Sequence, residues 1–407
     1  MLDRIAPPRM GRSFRWLLGS TYVSNVGDGI ALAAGPLLVA SQTDNEILVA
    51  MAALLQRLPW LLFGLYAGAL ADRVDRRRMV MIADGLRGVV LVGLSVVIVT
   101  GAFNIAAVLT AMLLLGIAEV FVDTPSQTLL PMLADHRDLG LGNARLQAGF
   151  LIGNQVVGPP IGAFLFATGM AVPFVTQAVL VALLILLVAR IATPNGPVRE
   201  LDDTHILNDI VEGVRWLVHH AAVRTLAIVI VAFNVTWGAA WAVLVLYALD
   251  HLDMTEVGFG LLTTAAAVGG LLSTVLYGRI ERRFDLGNVM RVCLLLEVVS
   301  HLGFALTSSA IVAMALMFVF GAYAFVWGAV SQTVRQRATP MVLQGRVGSV
   351  YMVCVIGGIV IGQALGGWIA ETWGLTAPFW FAFAGSAVTL ALVWRQLPAI
   401  AHAEAAT

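Results

Sequence analysis

Lysine is absent from this chain: all 24 basic residues are arginine, balanced by 24 acidic residues. Charge of either sign is scarce, at 12% of 407 residues, while 59% are hydrophobic and the mean hydropathy is +0.90. A soluble protein of this length needs far more charged surface. Without lysine there is no Gly-rich phosphate loop ending in Lys, which argues against nucleotide-driven pumping by this chain. No grouping of His, Cys and Asp has metal-ligand spacing, so neither a metal centre, a cofactor nor a membrane enzyme is expected. The two cysteines, Cys293 and Cys354, lie inside apolar runs and read as small core residues.

What is present is a succession of apolar runs long enough to cross the ~30 Å hydrocarbon core of a bilayer. They fall at 14–40, 46–71, 79–99, 104–130, 141–168 and 171–192, then, after a polar stretch, at 222–249, 255–279, 288–307, 310–335, 345–371 and 374–396. The fold class is thus an all-α polytopic membrane protein with twelve transmembrane helices. The first run is too long for a signal peptide and lacks a small-residue cleavage site, so it reads as a retained helix.

Arginine sets the orientation. Apart from Arg57 and Arg87, which lie within spans, the arginines fall in or beside the two tails and the loops joining spans 2–3, 4–5, 6–7, 8–9 and 10–11. Basic loops stay on the cytoplasmic side, which puts both termini in the cytoplasm of a multi-pass cell-membrane protein.

The two halves of the chain resemble each other at an offset of 205 residues. PPIGAFLFATGMAVPF (159–174) aligns with ALGGWIAETWGLTAPF (364–379), and Ser126-Gln127-Thr128 with Ser331-Gln332-Thr333. An even number of helices per half makes the repeats parallel, a 6+6 transporter architecture with the substrate site at mid-depth. The domains expected are 1–193, a cytoplasmic linker at 194–221, and 222–407. Within the linker, Ile206, Ile210, Val214 and Val218 recur at helical spacing and predict an amphipathic helix on the membrane.

Between spans 2 and 3 stands GALADRVDRRR (68–78). Gly68 permits close helix approach at the cytoplasmic end of span 2. Asp72 can accept a charge-assisted bond from an arginine of another segment or cap the third helix. Arg73, Arg76, Arg77 and Arg78 hold the loop inside. In span 5, GPPIG (158–162) combines Gly158 and Gly162, which allow tight packing, with Pro159 and Pro160, which remove two backbone donors and loosen the helix.

These features together resemble the major facilitator superfamily. GALADRVDRRR looks like its loop signature, with Asp75 where the common pattern has a second Gly. GPPIG is similar to the fifth-helix motif of proton-coupled drug exporters. VDTPSQTLLPML (122–133), GNARL (142–146), EGVRWL (212–217) and GRVGS (345–349) resemble the branch holding the enterobactin exporter and macrolide or tetracycline efflux pumps. The resemblance implies a gate in which Asp72 meets the start of span 11, where Arg346 lies. The arginine that many drug antiporters carry in span 4 is not evident.

Ionisable residues inside spans are costly in hydrocarbon and usually face a cavity or a partner. Counting up from the cytoplasmic side, Asp28 and Arg57 come to similar depth on consecutive spans, which predicts a mid-membrane ion pair and a proton-coupling role. Asp84 and Arg87 share a face nearer the cytoplasmic end and read as structural. Glu119 and Asp123 share a face of span 4, an arrangement suited to proton carriage. Glu297 and His301 repeat that spacing in span 9. Substrate is expected at Tyr22 and Asn25 in span 1, Asn234, Trp237 and Trp241 in span 7, and Tyr323, Phe325 and Trp327 in span 10; the face of span 7 suits bulky, partly apolar molecules.

The expectation is a secondary transporter, a monomer with protons and a small molecule as partners, no nucleic acid, and the bilayer around it. Export by proton antiport leads, with a gradient-driven uptake permease or a non-transporting receptor of the same fold as alternatives.

Overall fold

The computed structural model describes residues 10–102, 104–134, 138–192, 206–340 and 343–401; within these, the side chains of 65, 69, 72, 73, 127, 128 and 206–210 lie outside the description. Every regular element among the described residues is helical. That is the outcome lipid imposes on a backbone with no water to bond, since a helix satisfies its N–H and C=O groups within one segment.

The elements in chain order are α1 (Gly11–Ala40), α2 (Glu46–Arg73), α3 (Arg76–Val99), α4 (Ile105–Leu133), α5 (Leu139–Gly149, Phe150–Val157 and Gly158–Thr168 in continuous succession), α6 (Val172–Val188) and α7 (Ile206–His219). There follow α8 (Ala221–Ala242, extended by Leu244–Leu246 and the turn Tyr247–His251), α9 (Glu256–Arg283), α10 (Leu286–Leu306), α11 (Ala310–Ala338), α12 (Gln344–Trp373), α13 (Ala377–Val393) and α14 (Leu397–Ala401). Among the described residues, ten helices are long and apolar enough to cross a membrane, and α6 and α13 are shorter apolar helices. The bounds of α4, α5 and α6 recur in α11, α12 and α13 at the same offset as the sequence repeat.

Helix starts follow capping chemistry. Asp75 accepts from Arg78 N at 3.1 Å, Asn104 from Ala107 N at 2.9 Å and Asp285 from Asn288 N at 3.1 Å, each satisfying a first-turn donor that has no partner within its helix. Asp75, the departure from the superfamily loop pattern, is therefore the residue that starts α3.

The described residues form two compact units. One comprises 1–44, 55–200 and 254–264; the other comprises 45–54, 201–253 and 265–407. In the first, α1 packs on α5 and α6, and α3 on α4 and α6. In the second, α8 packs on α12 and α13, and α10 on α11 and α13. Two crossings depend on missing side chains. A Cβ on Gly29 of α1 would come within 2.6 Å of Asn154 O, and one on Gly162 of α5 would collide with the backbone of Ile30. In the second unit, Gly362 and Gly366 of α12 meet the backbone of Val235 and Ala239 of α8 in the same way. Without a hydrophobic drive between helices in lipid, such close backbone approach supplies the packing.

The linker helix α7 turns Gly213 and Leu217 inward and leaves Val211, Val214 and Val218 exposed. Gly213 lies against the backbone of Arg346, and the Arg346 guanidinium pairs with Glu212. Ile206 and Ile210, the other half of the expected apolar stripe, have side chains outside the described residues.

Candidate functional site

The first unit encloses a cavity of about 140 Å³. In a span-forming core this apolar, its lining is unusually polar: Asn25 and Asp28 from α1, Gln56 and Arg57 from α2, Arg87 from α3, Glu119 and Asp123 from α4, Asn154 and Gln155 from α5, and Gln177 from α6. Met112, Phe150 and Phe174 supply apolar wall.

Asp28 is the hub. Its Oδ1 is paired with the guanidinium of Arg87, and its Oδ2 accepts from Ser24 Oγ at 3.2 Å. This corrects the expected partner, which was Arg57. Depth counted along the chain places two residues at one level but does not say which helices are neighbours. Arg57 instead enters the cavity from α2 with an exposed side chain, where its charge acts on Glu119. Arg87 is 5% exposed and belongs to the site, although the sequence assigned it to packing.

Glu119 and Asp123, one turn apart on α4, both line the cavity, as their spacing predicts. Asn25 lies on the lining too, its amide donating to Thr21 O at 2.7 Å, while the ring of Tyr22 packs against Gly149 of α5. Four lining amides escaped the sequence reading as site residues: Gln56, Asn154, Gln155 and Gln177. The signal that could have found them is an amide inside an apolar run, costly unless satisfied. Gln56 Nε2 donates to Met112 Sδ at 2.9 Å, and Gln155 donates to Asn154.

The GPPIG motif forms the back of this site. Gly158 and Gly162 press on α1 at Gly29 and Ile30, directly beside Asp28. The preceding turns, Phe150–Val157, are wound as a π-helix. Pro160 has no N–H to offer the carbonyl of Val156, and the hydroxyl of Thr264 in α9 donates there instead, at 3.3 Å. The loosening expected from Pro159 and Pro160 thus takes the form of a widened turn with an outside donor.

Among the described residues, a Cβ on Gly68 would meet Thr124 at 4.0 Å. Arg76 Nε donates to Ala71 O at 3.0 Å at the end of α2, and Arg77 donates to Ala189 O at the end of α6. Cations thereby cover two helix C-termini. The side chains of Asp72 and Arg73 lie outside the described residues.

In the second unit, Trp237 and Trp241 stack at 4.9 Å, and Phe320 joins them at 6.0 Å from each, with Tyr323 edge-on to Phe320 at 5.5 Å. Phe320 was missed; it stands three residues before Tyr323 on one face of α11. Asn234 packs its Cβ on Gly358 and donates its amide to Ile230 O at 2.7 Å. Phe325 lies over Gly270, and Trp327 is buried in the apolar core beside Phe233. Tyr323 and Trp327 are both buried, so of the expected α11 residues none stands open. Glu297 and His301 are hydrogen-bonded at 2.9 Å and buried, with the Tyr323 hydroxyl beside Glu297.

Residues 4–406 match the transmembrane secretion effector family of the major facilitator superfamily. The chain belongs to this family. It is 30% identical over 381 residues to the multidrug efflux pump Tap of Mycolicibacterium fortuitum, covering 89% of this chain and 90% of that one. It is 24% identical over 357 residues to the enterobactin exporter EntS of Shigella boydii, covering 87% and 84%. Its fold is that of a bacterial homologue of the iron transporter ferroportin, with a TM-score of 0.76 at 18% identity, covering 95% and 98%. The nucleoside transporter NupG shares the fold, with a TM-score of 0.69 at 12% identity, covering 97% and 100%. The protein is a multi-pass membrane transporter of an efflux family and not an enzyme.

Proposed function

We propose that this transporter exports a small, partly apolar molecule in exchange for protons, by alternating access between two parallel six-helix halves with both termini cytoplasmic. The observation that carries the reading is the Asp28–Arg87 ion pair, with Arg87 buried and Asp28 half-buried, in the wall of a polar cavity. A charge pair in a low-dielectric interior is costly to desolvate and is strongly destabilised when one partner is neutralised. Protonating Asp28 leaves Arg87 without its counter-charge, so a proton arriving from the cavity drives a local rearrangement. Here Arg87 takes the place first given to Arg57. Glu119 and Asp123 are further carriers on the same wall, and Glu297 with His301 is a further candidate in the other unit.

The named relatives, a multidrug efflux pump and an enterobactin exporter, support export of bulky organic molecules. The Trp237–Trp241–Phe320 surface supports an aromatic or apolar face on the cargo. Asp72 is assigned a cytoplasmic gating role, tested by whether Asp72→Asn alters transport without altering membrane insertion.

The deciding experiment uses purified protein in proteoliposomes with tetracycline as probe and an imposed pH gradient. Wild type should accumulate the probe against its gradient, and a protonophore should abolish this whereas a sodium ionophore should not. Asp28→Asn should bind the probe yet fail to concentrate it. Gradient-driven accumulation by Asp28→Asn would remove Asp28 from the coupling role.

A further inference from the structure

One buried acid is left over by this account. Asp84 of α3 is 0% exposed, and neither of its carboxyl oxygens has a hydrogen-bond partner. It stands one turn before Arg87 on the same helix face, within electrostatic range of both Arg87 and Asp28. Arg87 uses an Nη2 donor on Asp28, but its Nε–H is buried and unpartnered. The guanidinium thus keeps a vacant donor one helical turn from a residue with two vacant acceptors. An ionised carboxylate without a bond in such a place is among the most costly groups a core can hold, while a neutral carboxylic acid is tolerated.

We infer that Asp84 holds a proton while Arg87 is paired with Asp28, and that the two acids exchange proton and arginine as a unit. In the exchange, Asp84–COOH gives up its proton and becomes the carboxylate partner of Arg87, while Asp28 gains one proton and is released from it. The guanidinium stays charged throughout, one O–H bond breaks at Asp84 and one forms at Asp28, and the buried net charge does not change. Asp28 is the end open to the cavity and Asp84 the occluded end, so the pair is a two-position proton site read by one arginine. This rests on the antiport reading and adds to it an acid outside the cavity lining, one that sequence spacing assigned to packing.

The other charged groups around the site are few. α4 brings Glu119 and Asp123, each acted on by Arg87, and α2 brings Arg57 beyond Glu119. α6, packed on α3, has no titratable residue and offers only Gln177, whose Oε1 is buried and unpartnered. α4 and α6 carry no cation, and the other arginines of α3 (Arg76, Arg77 and Arg78) stand in its first turn, so Arg87 is the cation nearest Asp84 along its own helix.

Infrared difference spectroscopy of the purified full chain, without substrate at neutral pH, tests this. Subtracting Asp84→Asn from wild type should reveal one protonated-carboxyl C=O band that shifts in heavy water. The same band should vanish in Asp28→Asn, because Arg87 there has lost its partner and Asp84 ionises to take it. Asp84→Ser serves if Asp84→Asn fails to fold. Absence of the band from wild type overturns the inference, and so does its survival in Asp28→Asn. The result is separable from the transport reading. A band that behaves as described in a protein whose transport ignores the pH gradient would sink antiport and keep the shared proton site, and proton-driven export without the band would do the reverse.

Discussion

Asp28 on α1 and Arg87 on α3 form an ion pair in the first unit, two helices that both pack on α6 and meet across it at one side of a polar cavity. The pair couples the helix that carries the cavity's central acid to one whose own acid, Asp84, is fully buried and outside the cavity lining.

Removing the arginine alone should be worse than removing both members. Arg87→Gln strands a buried carboxylate, at a cost of about 3–5 kcal/mol, whereas the double variant Asp28→Asn/Arg87→Gln should recover a large part of it. Thermal unfolding of the four proteins in detergent gives the coupling energy. A double variant less stable than Arg87→Gln alone would mean the two residues do not act as a pair.

The two glycines singled out in the sequence should part company on substitution. Gly162→Ala forces a methyl group into the backbone of Ile30 and should cost about 1–3 kcal/mol by overpacking. Gly68→Ala places its methyl at ordinary contact distance from Thr124 and should change stability by less than about 0.5 kcal/mol. Comparable melting temperatures for the two would show that the α1–α5 crossing does not constrain the fold as described.

The linker should depend on its glycine more than on its ion pair. Glu212 and Arg346 are substantially solvent-accessible, so Glu212→Gln should cost no more than about 1 kcal/mol. Gly213→Val, whose Cβ would lie 2.9 Å from Arg346 O, should detach α7 from α12. Protease sensitivity within 206–219 is the readout, and equal sensitivity in the two variants would contradict this ordering.

Truncating the aromatic surface should weaken cargo binding without touching coupling. Trp237→Ala removes two stacked contacts, each worth about 0.5–1.5 kcal/mol, and should raise the apparent dissociation constant for tetracycline by about tenfold. Transport at saturating probe should keep its dependence on the pH gradient. Loss of that dependence would place Trp237 in the coupling machinery.

Composition and periodicity determined much of this protein. Scarce charge and recurrent apolar runs required a helical membrane protein, because no other open structure satisfies its backbone in lipid. The offset repeat anticipated matching bounds for α4–α6 and α11–α13, with Gly169 and Gly374 ending α5 and α12, and Pro173 and Pro378 opening α6 and α13, in the same way. Glu119 and Asp123 were placed on one wall by spacing alone, because i, i+4 neighbours share a face whatever the helix packs against. The loop signature and GPPIG pointed to the family over the whole chain.

Only the tertiary structure decided which helices meet. Chain order made α1 and α2 the natural pair and sent Asp28 to Arg57, but α1 and α3 both pack on α6, and Arg87 reaches Asp28 from there. Gly29, outside any motif, carries a tight crossing with the backbone of α5 at Asn154 and Gly158. Phe320 and Gln177 entered their sites through neighbours on other helices. Depth and face are one-dimensional properties a sequence encodes locally; contact depends on how rods of similar hydrophobicity are arranged about one another, and lipid gives no burial gradient to write that arrangement into the pattern.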